Sequence, residues 1–477
     1  MRLGWLTFGT LLVLTGFNVS LSSAAGLDAF IHDSGPLAGT LRSGDPLPLY
    51  DADRHHLWNR LFAAWYIRPR LLPATEEHPE LVRYEGGDVI EFLGWGKTTY
   101  WSSEEVFDKL NPLLDEFLDD RGAALISDRL KRAVFQHDLW AAYDHLIYQN
   151  IQRTGDREKR RRRDVLCEKL ARCMRQLALT ADELQQLPDN YAAAVASGAF
   201  VPEHDFDAAR NYLPTGLLTR PDEWVEIDFH QPKVSHDISE RFVTLHTRSL
   251  LGRSYYRILY RFPEGREQLL SYLQELDEHG IDWKAAAHLG NILPRTDAPP
   301  IPVGTEVVLL QLMMSLDDQL RPVPTNVVES FQFRAFANID GLAEPETNTG
   351  VGVNVLDYRM KRHLLFDGLM AGGLEREPEG EPQYRVAVDG LRAPDWGFPD
   401  KQVLFQQCVE CHMGRKLERL SVRSIPSIVH SGGFDAGAQM GVAHPLDPAD
   451  KDLPGQRVAR WKSLDESYRR LLEHLGR

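Results

Sequence analysis

Cysteine is scarce in this sequence, with 4 residues among 477. Domains that depend on disulfides are much richer in cysteine, so the chain has to fold around a hydrophobic core. Positive charge is also in deficit, because 54 Lys and Arg stand against 69 Asp and Glu, a formal net charge of −15. This acidic balance disfavours nucleic acid as a partner.

Long apolar runs are confined to the beginning of the chain. Residues Leu3–Phe17 are mostly apolar and follow Arg2, and Ser23–Ala25 is a tract of small residues. The pattern is typical of a secretory signal peptide cleaved after Ala25, since the apolar run is shorter than the ~20 residues of a spanning helix. The sequence therefore predicts an exported bacterial protein, periplasmic or secreted, with no transmembrane segment after cleavage. An uncleaved anchor is the alternative.

The string Cys408-Val409-Glu410-Cys411-His412 has the C-x-x-C-H spacing of covalent haem attachment. On a helical turn these three positions share one face, so both thiols can meet a porphyrin edge while the imidazole turns toward iron. We therefore expect Cys408 and Cys411 to bind haem and His412 to be an axial iron ligand. A thioredoxin-like redox pair or half of a zinc site is the alternative, although no second C-x-x-C exists in the sequence.

The last 80 or so residues resemble the small class I cytochromes c. The resemblance rests on the C-x-x-C-H string in a helix that opens near Pro399, a loop over residues 423–454, and an amphipathic helix over Val458–Leu475. It implies one covalently bound haem c, electron transfer as the activity, and a redox partner protein. It also implies haem attachment outside the cytoplasm, in agreement with the predicted signal peptide.

The second axial ligand is expected in the loop before the terminal helix, where the resemblance places it. Met440 is the preferred residue, and His430 and His444 are alternatives, as are a ligand from the upstream region and an open site. Met/His ligation suits electron transfer, whereas an open position would admit peroxide or a small gas. Two other functions therefore stay open: a peroxidase-like haem enzyme, and a secreted binding or sensing protein with an accessory haem.

The predicted fold class is α+β. We expect a signal peptide over 1–25, a mainly helical domain over 26–220, an antiparallel β-rich domain over 221–395 and a small all-α cytochrome c-like tail over 396–477. Helical periodicity covers Glu104–Asp120 and Ala123–Gln149, and Thr180 with Glu183 forms a capping box. Strand-like segments are Glu223–Phe229, Ser254–Phe262, Val307–Ser315, Val327–Ala337 and Tyr384–Val388.

The sequence also carries four local predictions. Pro322 and Pro324 are placed in a turn outside any strand ladder, and Leu374–Pro382 is predicted to be an exposed loop. Cys167 and Cys173 are expected to be buried thiols, since six helical residues separate them by ~9 Å. None of the carboxylates is a credible catalytic candidate, and His137-Asp138 is interpreted as a surface or core pair.

Overall fold

A computed structural model of the chain describes most of the helices and strands that build its core. The described residues are 46–66, 68–71, 82–85, 104–148, 156–202, 210–228, 254–275, 278, 301–336, 353–377, 382–383, 402–403, 429–430, 441–442, 444–446, 454–463 and 466–477. All of them belong to one compact unit, Arg42–Arg477. The predicted signal peptide lies outside the described residues.

Helices dominate the first half of the described chain and return at its C-terminus. They are α1 Leu57–Tyr66, α2 Glu104–Asp119, α3 Arg129–Tyr148, α4 Arg157–Leu177, α5 Ala181–Gln185, α6 Asn190–Ala196, α7 Arg266–Glu275, α8 Arg362–Phe366, α9 Pro454–Lys462 and α10 Glu466–His474. Within the described ranges, each helix is too short or too polar to cross a bilayer.

Most of the described strands lie after residue 220, and only the first short pair comes earlier. The strands are β1 Arg68–Leu71, β2 Val82–Glu85, β3 Val225–Asp228, β4 Ser254–Arg261, β5 Glu306–Leu316, β6 Pro322–Phe336, β7 Val353–Met360, β8 Leu374–Arg376, β9 Pro382–Gln383, β10 Gln402–Val403, β11 Val429–His430, β12 Gly441–Val442 and β13 His444–Pro445. Helices and an antiparallel sheet in one chain confirm the predicted α+β class.

The principal sheet has seven antiparallel strands in the order β13-β3-β4-β5-β6-β7-β8. Strands β3 to β8 therefore follow one another in space as they do in sequence. β13 is the exception, because it comes near the end of the chain and pairs with β3. The sheet thus has a late strand at one edge and β8 at the other.

Helix α3 begins later than its hydrophobic periodicity predicts. The predicted start at Ala123 falls in a 3-10 turn, Gly122–Ala124, which follows Arg121 in the left-handed region with φ 53°. The carboxylate of Asp128 instead accepts a hydrogen bond from the Lys131 amide at 2.9 Å, and this cap fixes the true helix start. The capping box of Thr180 and Glu183 is confirmed at the start of α5.

The expected exclusion of two prolines from the ladder is wrong. Pro322 pairs with Leu316 and Pro324 with Met314, so both lie inside β6. β7 pairs with β6 only from Ser330 onward, which leaves the other side of the first half of β6 without that strand neighbour. The side chain of Asn190 bonds there with both backbone groups of Val328. A proline is tolerated where its missing N–H faces away from a ladder.

The predicted exposed loop at Leu374–Pro382 is also wrong at its start. Leu374–Arg376 forms β8 against β7, and the side chains of Leu374 and Glu377 are buried. The composition of this stretch, rich in Glu and Gly, hides the strand because its pairing is a tertiary contact. The predicted strand Tyr384–Val388 lies outside the described residues.

The two C-terminal helices replace the single helix predicted over Val458–Leu475. The chain leaves the helix at Ser463 and begins a new one at Glu466. Tyr468 donates a hydrogen bond to the Leu320 carbonyl at 2.9 Å, and Arg477 donates one to the Gln319 carbonyl at 2.8 Å. The end of the chain therefore packs onto the turn between β5 and β6.

Candidate functional site

The predicted haem-binding residues Cys408, Cys411, His412 and Met440 lie outside the described residues. Their roles stay predictions. The structure does describe short pieces of backbone on either side of them, and these pieces show how the segment is anchored.

Two short ladders flank the C-x-x-C-H string along the chain. β10 pairs with β9 through Gln402 opposite Gln383, and β11 pairs with β12 through His430 opposite Gly441. Gln402–Val403 is therefore a strand, and the helix predicted to run from Pro399 into the motif is wrong at these two residues. The backbone of these two residues pairs with β9 and does not form the hydrogen bonds of a helix.

Two of the alternative iron ligands lie in described strands. His430 faces Gly441, the residue that follows Met440 in the chain. His444 lies in β13, opposite Asp228 of β3, at the edge of the principal sheet. The backbone thus brings His430 and the neighbour of Met440 to one ladder, and it places His444 on a different strand pair.

The segment that carries the motif connects the two opposite edges of the principal sheet. Residues 378–443 follow Glu377, just after β8, and end at β13. Seven strands at about 4.8 Å spacing make a sheet roughly 29 Å wide, which fewer than ten extended residues could span. The C-x-x-C-H string is therefore part of a connection far longer than this distance requires, and both ends of the connection lie on the same sheet.

One face of this sheet, which we call the first face, is covered by described aromatic residues. Alternation along the strands places Phe331, Phe333 and Tyr358 on it. Their ring centroids lie 5.8 Å from Tyr191, 4.8 Å from Tyr212 and 5.6 Å from Phe200, respectively. The first face therefore packs against α6 and the chain between α6 and β3.

The opposite face, the second face, combines an apolar part with charged residues. Its apolar part, over β4, β5 and β7, consists of Ile258, Tyr260, Val307, Leu309 and Val355. Its charged part consists of Arg334, Asp357 and Arg359, which are 9%, 2% and 2% exposed. A buried charge is costly unless it is paired, so the packing around these groups has to provide partners.

Arg359 is one of the charges with assigned partners on the second face. Its guanidinium lies 3.3 Å from an oxygen of Asp357 and 3.6 Å from an oxygen of Glu377. All four charged residues, Arg334 and Glu377 included, take part in further interactions. The charged residues of β6, β7 and the end of β8 on the second face are therefore buried and interact with other groups.

Helix α3 carries a second set of buried charges. The side chain of His137 lies between the carbonyl oxygen of Met314, 3.0 Å from Nδ1, and the carboxylate of Glu329, 2.8 Å from Nε2. Because a carbonyl can only accept, Nδ1 carries a proton. Nε2 and the Glu329 oxygen lie within ion-pair distance, but the two groups are not aligned for a hydrogen bond. Ser254 and Gln311 also donate to Glu329.

Asp138, the next residue of α3, joins three parts of the chain. Its carboxylate accepts a hydrogen bond from the Tyr50 hydroxyl and two from the Arg362 guanidinium, at 2.5 and 3.3 Å. Burial, and then the negative charge of Asp138, hold the pKa of Tyr50 well above its usual value. Both His137 and Asp138 are buried, so the core alternative of the two sequence interpretations is confirmed.

Helix α3 also binds the C-terminus through Asp144. Its carboxylate lies 3.2 Å from the Lys462 ammonium and accepts a hydrogen bond from Ser467 at 2.8 Å. All three side chains are buried. Sequence reasoning missed these residues, because Lys462 is 318 positions from Asp144 and has no local signal.

The prediction for Cys167 and Cys173 is confirmed, since both are buried free thiols in α4. Burial raises the pKa of both thiols far above the ordinary value, so they are poor nucleophiles and poor metal ligands. In the described part of the chain, no three His, Cys, Asp or Glu side chains are grouped so that they could hold a metal ion.

No protein-family model matches this chain, and neither a curated protein nor a solved structure is significantly similar to it. The resemblance to class I cytochromes c therefore rests on the C-x-x-C-H string and the order of the predicted elements.

Proposed function

We propose that this protein is an exported, periplasmic or secreted, monohaem c-type cytochrome that relays one electron to or from a redox partner protein. The observation that carries the proposal is the C-x-x-C-H string of Cys408, Cys411 and His412. The other two cysteines are sequestered in α4. They leave Cys408 and Cys411 as the pair available for covalent attachment.

In this proposal the residues of the chain hold and tune one haem c, whose iron supplies one-electron chemistry when bound. Cys408 and Cys411 anchor it, His412 is the proximal ligand, and Met440 is the distal ligand. A thioether ligand favours the reduced state and raises the potential. Residues 396–477 then form the haem-binding region, with α9 and α10 as its described C-terminal part.

The experiment is mass spectrometry of the protein purified from its native host, followed by a spectrum of the reduced protein with and without carbon monoxide. We expect one covalent haem on a peptide that contains Cys408 and Cys411, and no carbon monoxide shift. Cys411→Ala should lose one thioether, whereas the control Cys173→Ala should keep both. Free thiols at 408 and 411 with no added haem mass would contradict the proposal.

The same spectra distinguish the relay from the two other functions. A carbon monoxide shift in the unmodified protein, together with peroxide turnover, would identify an open-site haem enzyme. A closed iron with no exchange of electrons with any donor protein would favour the accessory role in binding or sensing.

A further inference from the structure

The beginning of α4 concentrates positive charge in an otherwise acidic protein. Six of its first seven residues are Arg or Lys, whereas the whole chain carries a formal net charge of −15. Arg162 and Arg163 are buried. The other four cations are exposed or half-buried, and we call them the basic cluster: Arg157, Lys159, Arg160 and Arg161. Positive charge thus reaches solvent at one end of this helix.

The basic cluster stands where it does not stabilise the helix. The N-terminus of a helix is the positive end of its dipole and favours Asp or Glu, so cations there are unfavourable. Like charges on neighbouring turns add to this effect, because Arg157 precedes Arg160 by three residues and Arg161 by four. Residues that break a rule of local stability are expected at functional sites. The stability of α4 therefore gives no reason for the basic cluster.

The nearby carboxylates neutralise only part of the basic cluster. Glu158 lies 2.6 Å from Arg161, and the capping residue Asp156 lies 3.6 Å from Lys159. In the part of the chain that the structure describes, no carboxylate lies within ion-pair distance of the other two cations, Arg157 and Arg160. Two guanidinium groups are therefore available to a partner.

Helix α4 also projects beyond its neighbour α2 at this end. The two helices are parallel, since Lys169 donates a hydrogen bond to Asn111 and Gln176 donates one to the carbonyl of Leu118. Counted back from the contact of Lys169 with Asn111 at 1.5 Å per residue, α4 extends roughly 18 Å and α2 roughly 10 Å. Arg157 is exposed and lies roughly 8 Å beyond the first residue of α2.

We propose that the basic cluster is a docking surface for an acidic segment of a partner protein, one rich in Asp and Glu. Charge complementarity supports this occupant, because its carboxylates can pair with Arg157 and Arg160 while the acidic remainder of the chain repels it elsewhere. A flat anionic membrane fits less well. The exposed stripe that begins at Arg157 continues with Asp164 and Glu168, whose carboxylates would face the lipid.

The test measures by fluorescence anisotropy how a labelled hexaglutamate peptide binds to the full-length protein. We expect binding at low ionic strength that weakens as salt is added, since salt screens exposed charges. Arg157→Gln with Arg160→Gln should weaken binding at least about fivefold. The control is Arg172→Gln with Arg175→Gln, because both residues are exposed on the same helix and their removal changes the net charge equally. This control should bind the peptide as the unmodified protein does.

Three binding results would overturn the proposal. Equal weakening by the two double variants would show that the peptide responds only to net charge. Absence of binding at low ionic strength would show that the basic cluster does not accept carboxylates. Vesicles with phosphatidylglycerol that bind where the peptide does not, and that lose binding in Arg157→Gln with Arg160→Gln, would identify a lipid-binding surface instead.

Thermal stability gives a second readout. Arg157→Gln with Arg160→Gln removes like charges from the positive end of α4, so the melting temperature should equal or exceed that of the unmodified protein. A lower melting temperature would show that the basic cluster stabilises the fold, and its role in docking would be refuted.

Discussion

The ammonium of Lys462 lies 3.2 Å from the carboxylate of Asp144, and both side chains are withdrawn from solvent. The pair connects α9, which follows the segment with the C-x-x-C-H string, to α3. Removing one partner leaves a buried, unpaired charge, which destabilises a fold more than removing both partners does. Single and double variants therefore measure how much the pair contributes to stability.

Lys462→Met should lower the free energy of unfolding by about 3–5 kcal/mol, since it leaves Asp144 as an uncompensated buried charge. The double variant Lys462→Met with Asp144→Leu should recover much of this loss. Urea unfolding of the two single variants and the double variant measures the coupling. Additive losses would show that the two side chains do not interact in the folded protein.

Tyr50→Phe should destabilise the protein by about 1–3 kcal/mol, because Asp138 then loses one of its buried donors. Tyr468→Phe is the control, since its hydroxyl meets a neutral backbone carbonyl at a less buried position. Thermal and urea unfolding should rank Tyr50→Phe as the more harmful. An equal effect would mean that the contact with Asp138 adds nothing.

Alkaline pH should unfold the protein cooperatively. Burial raises the pKa of Tyr50 and Tyr191 well above the usual value and raises the pKa of Tyr358 to about 12. The unfolded chain loses these protons near pH 10, so the stability they contribute is complete below that pH and is lost as the pH rises toward the folded-state values. Phenolate absorbance should therefore appear together with the loss of circular dichroism; earlier phenolate formation by these residues would contradict their burial.

Thiol labelling should separate the four cysteines into two classes. In the native protein Cys167 and Cys173 should resist alkylation, because burial raises their pKa and blocks access. After denaturation both should react. Cys408 and Cys411 should remain unreactive in denatured material from the native host, because thioethers cannot be alkylated as thiols. Labelling of all four would refute covalent haem attachment.

Met440→Ala should open the distal position if Met440 is the sixth ligand. We expect the reduced variant to bind carbon monoxide and its midpoint potential to fall, because a thioether favours the reduced iron. His430→Ala and His444→Ala are the matched controls and should leave the spectrum unchanged. A shift in either histidine variant, with Met440→Ala silent, would move the assignment to that histidine.

Sequence patterns predicted the elements that depend on local forces. The aromatic and β-branched residues of Ser254–Phe262 predicted a strand, which the structure places at Ser254–Arg261. The capping box of Thr180 and Glu183 predicted the start of α5. Both depend on neighbours within a few residues. The C-x-x-C-H spacing of Cys408, Cys411 and His412 is likewise a local pattern that the sequence shows directly. These three residues lie outside the described residues.

The elements that sequence patterns missed depend on distant partners. The break between α9 and α10 accompanies the contact of Lys462 and Ser467 with Asp144, more than 300 positions away. Pro322 and Pro324 lie in the half of β6 that does not pair with β7. In that half, Asn190 of helix α6 forms hydrogen bonds with the backbone of Val328. Glu329 and Arg362 carry no local signal for their contacts with α3, which only the assembled fold brings about.

The placement of β13 has a consequence for the order in which the protein matures. His444 pairs with Asp228, so one margin of the sheet stays incomplete until nearly the entire polypeptide is available for folding. Until then Cys408 and Cys411 belong to a chain whose final sheet edge has not yet formed. The proposed cofactor attachment, where it acts on the growing chain, therefore precedes closure of the sheet.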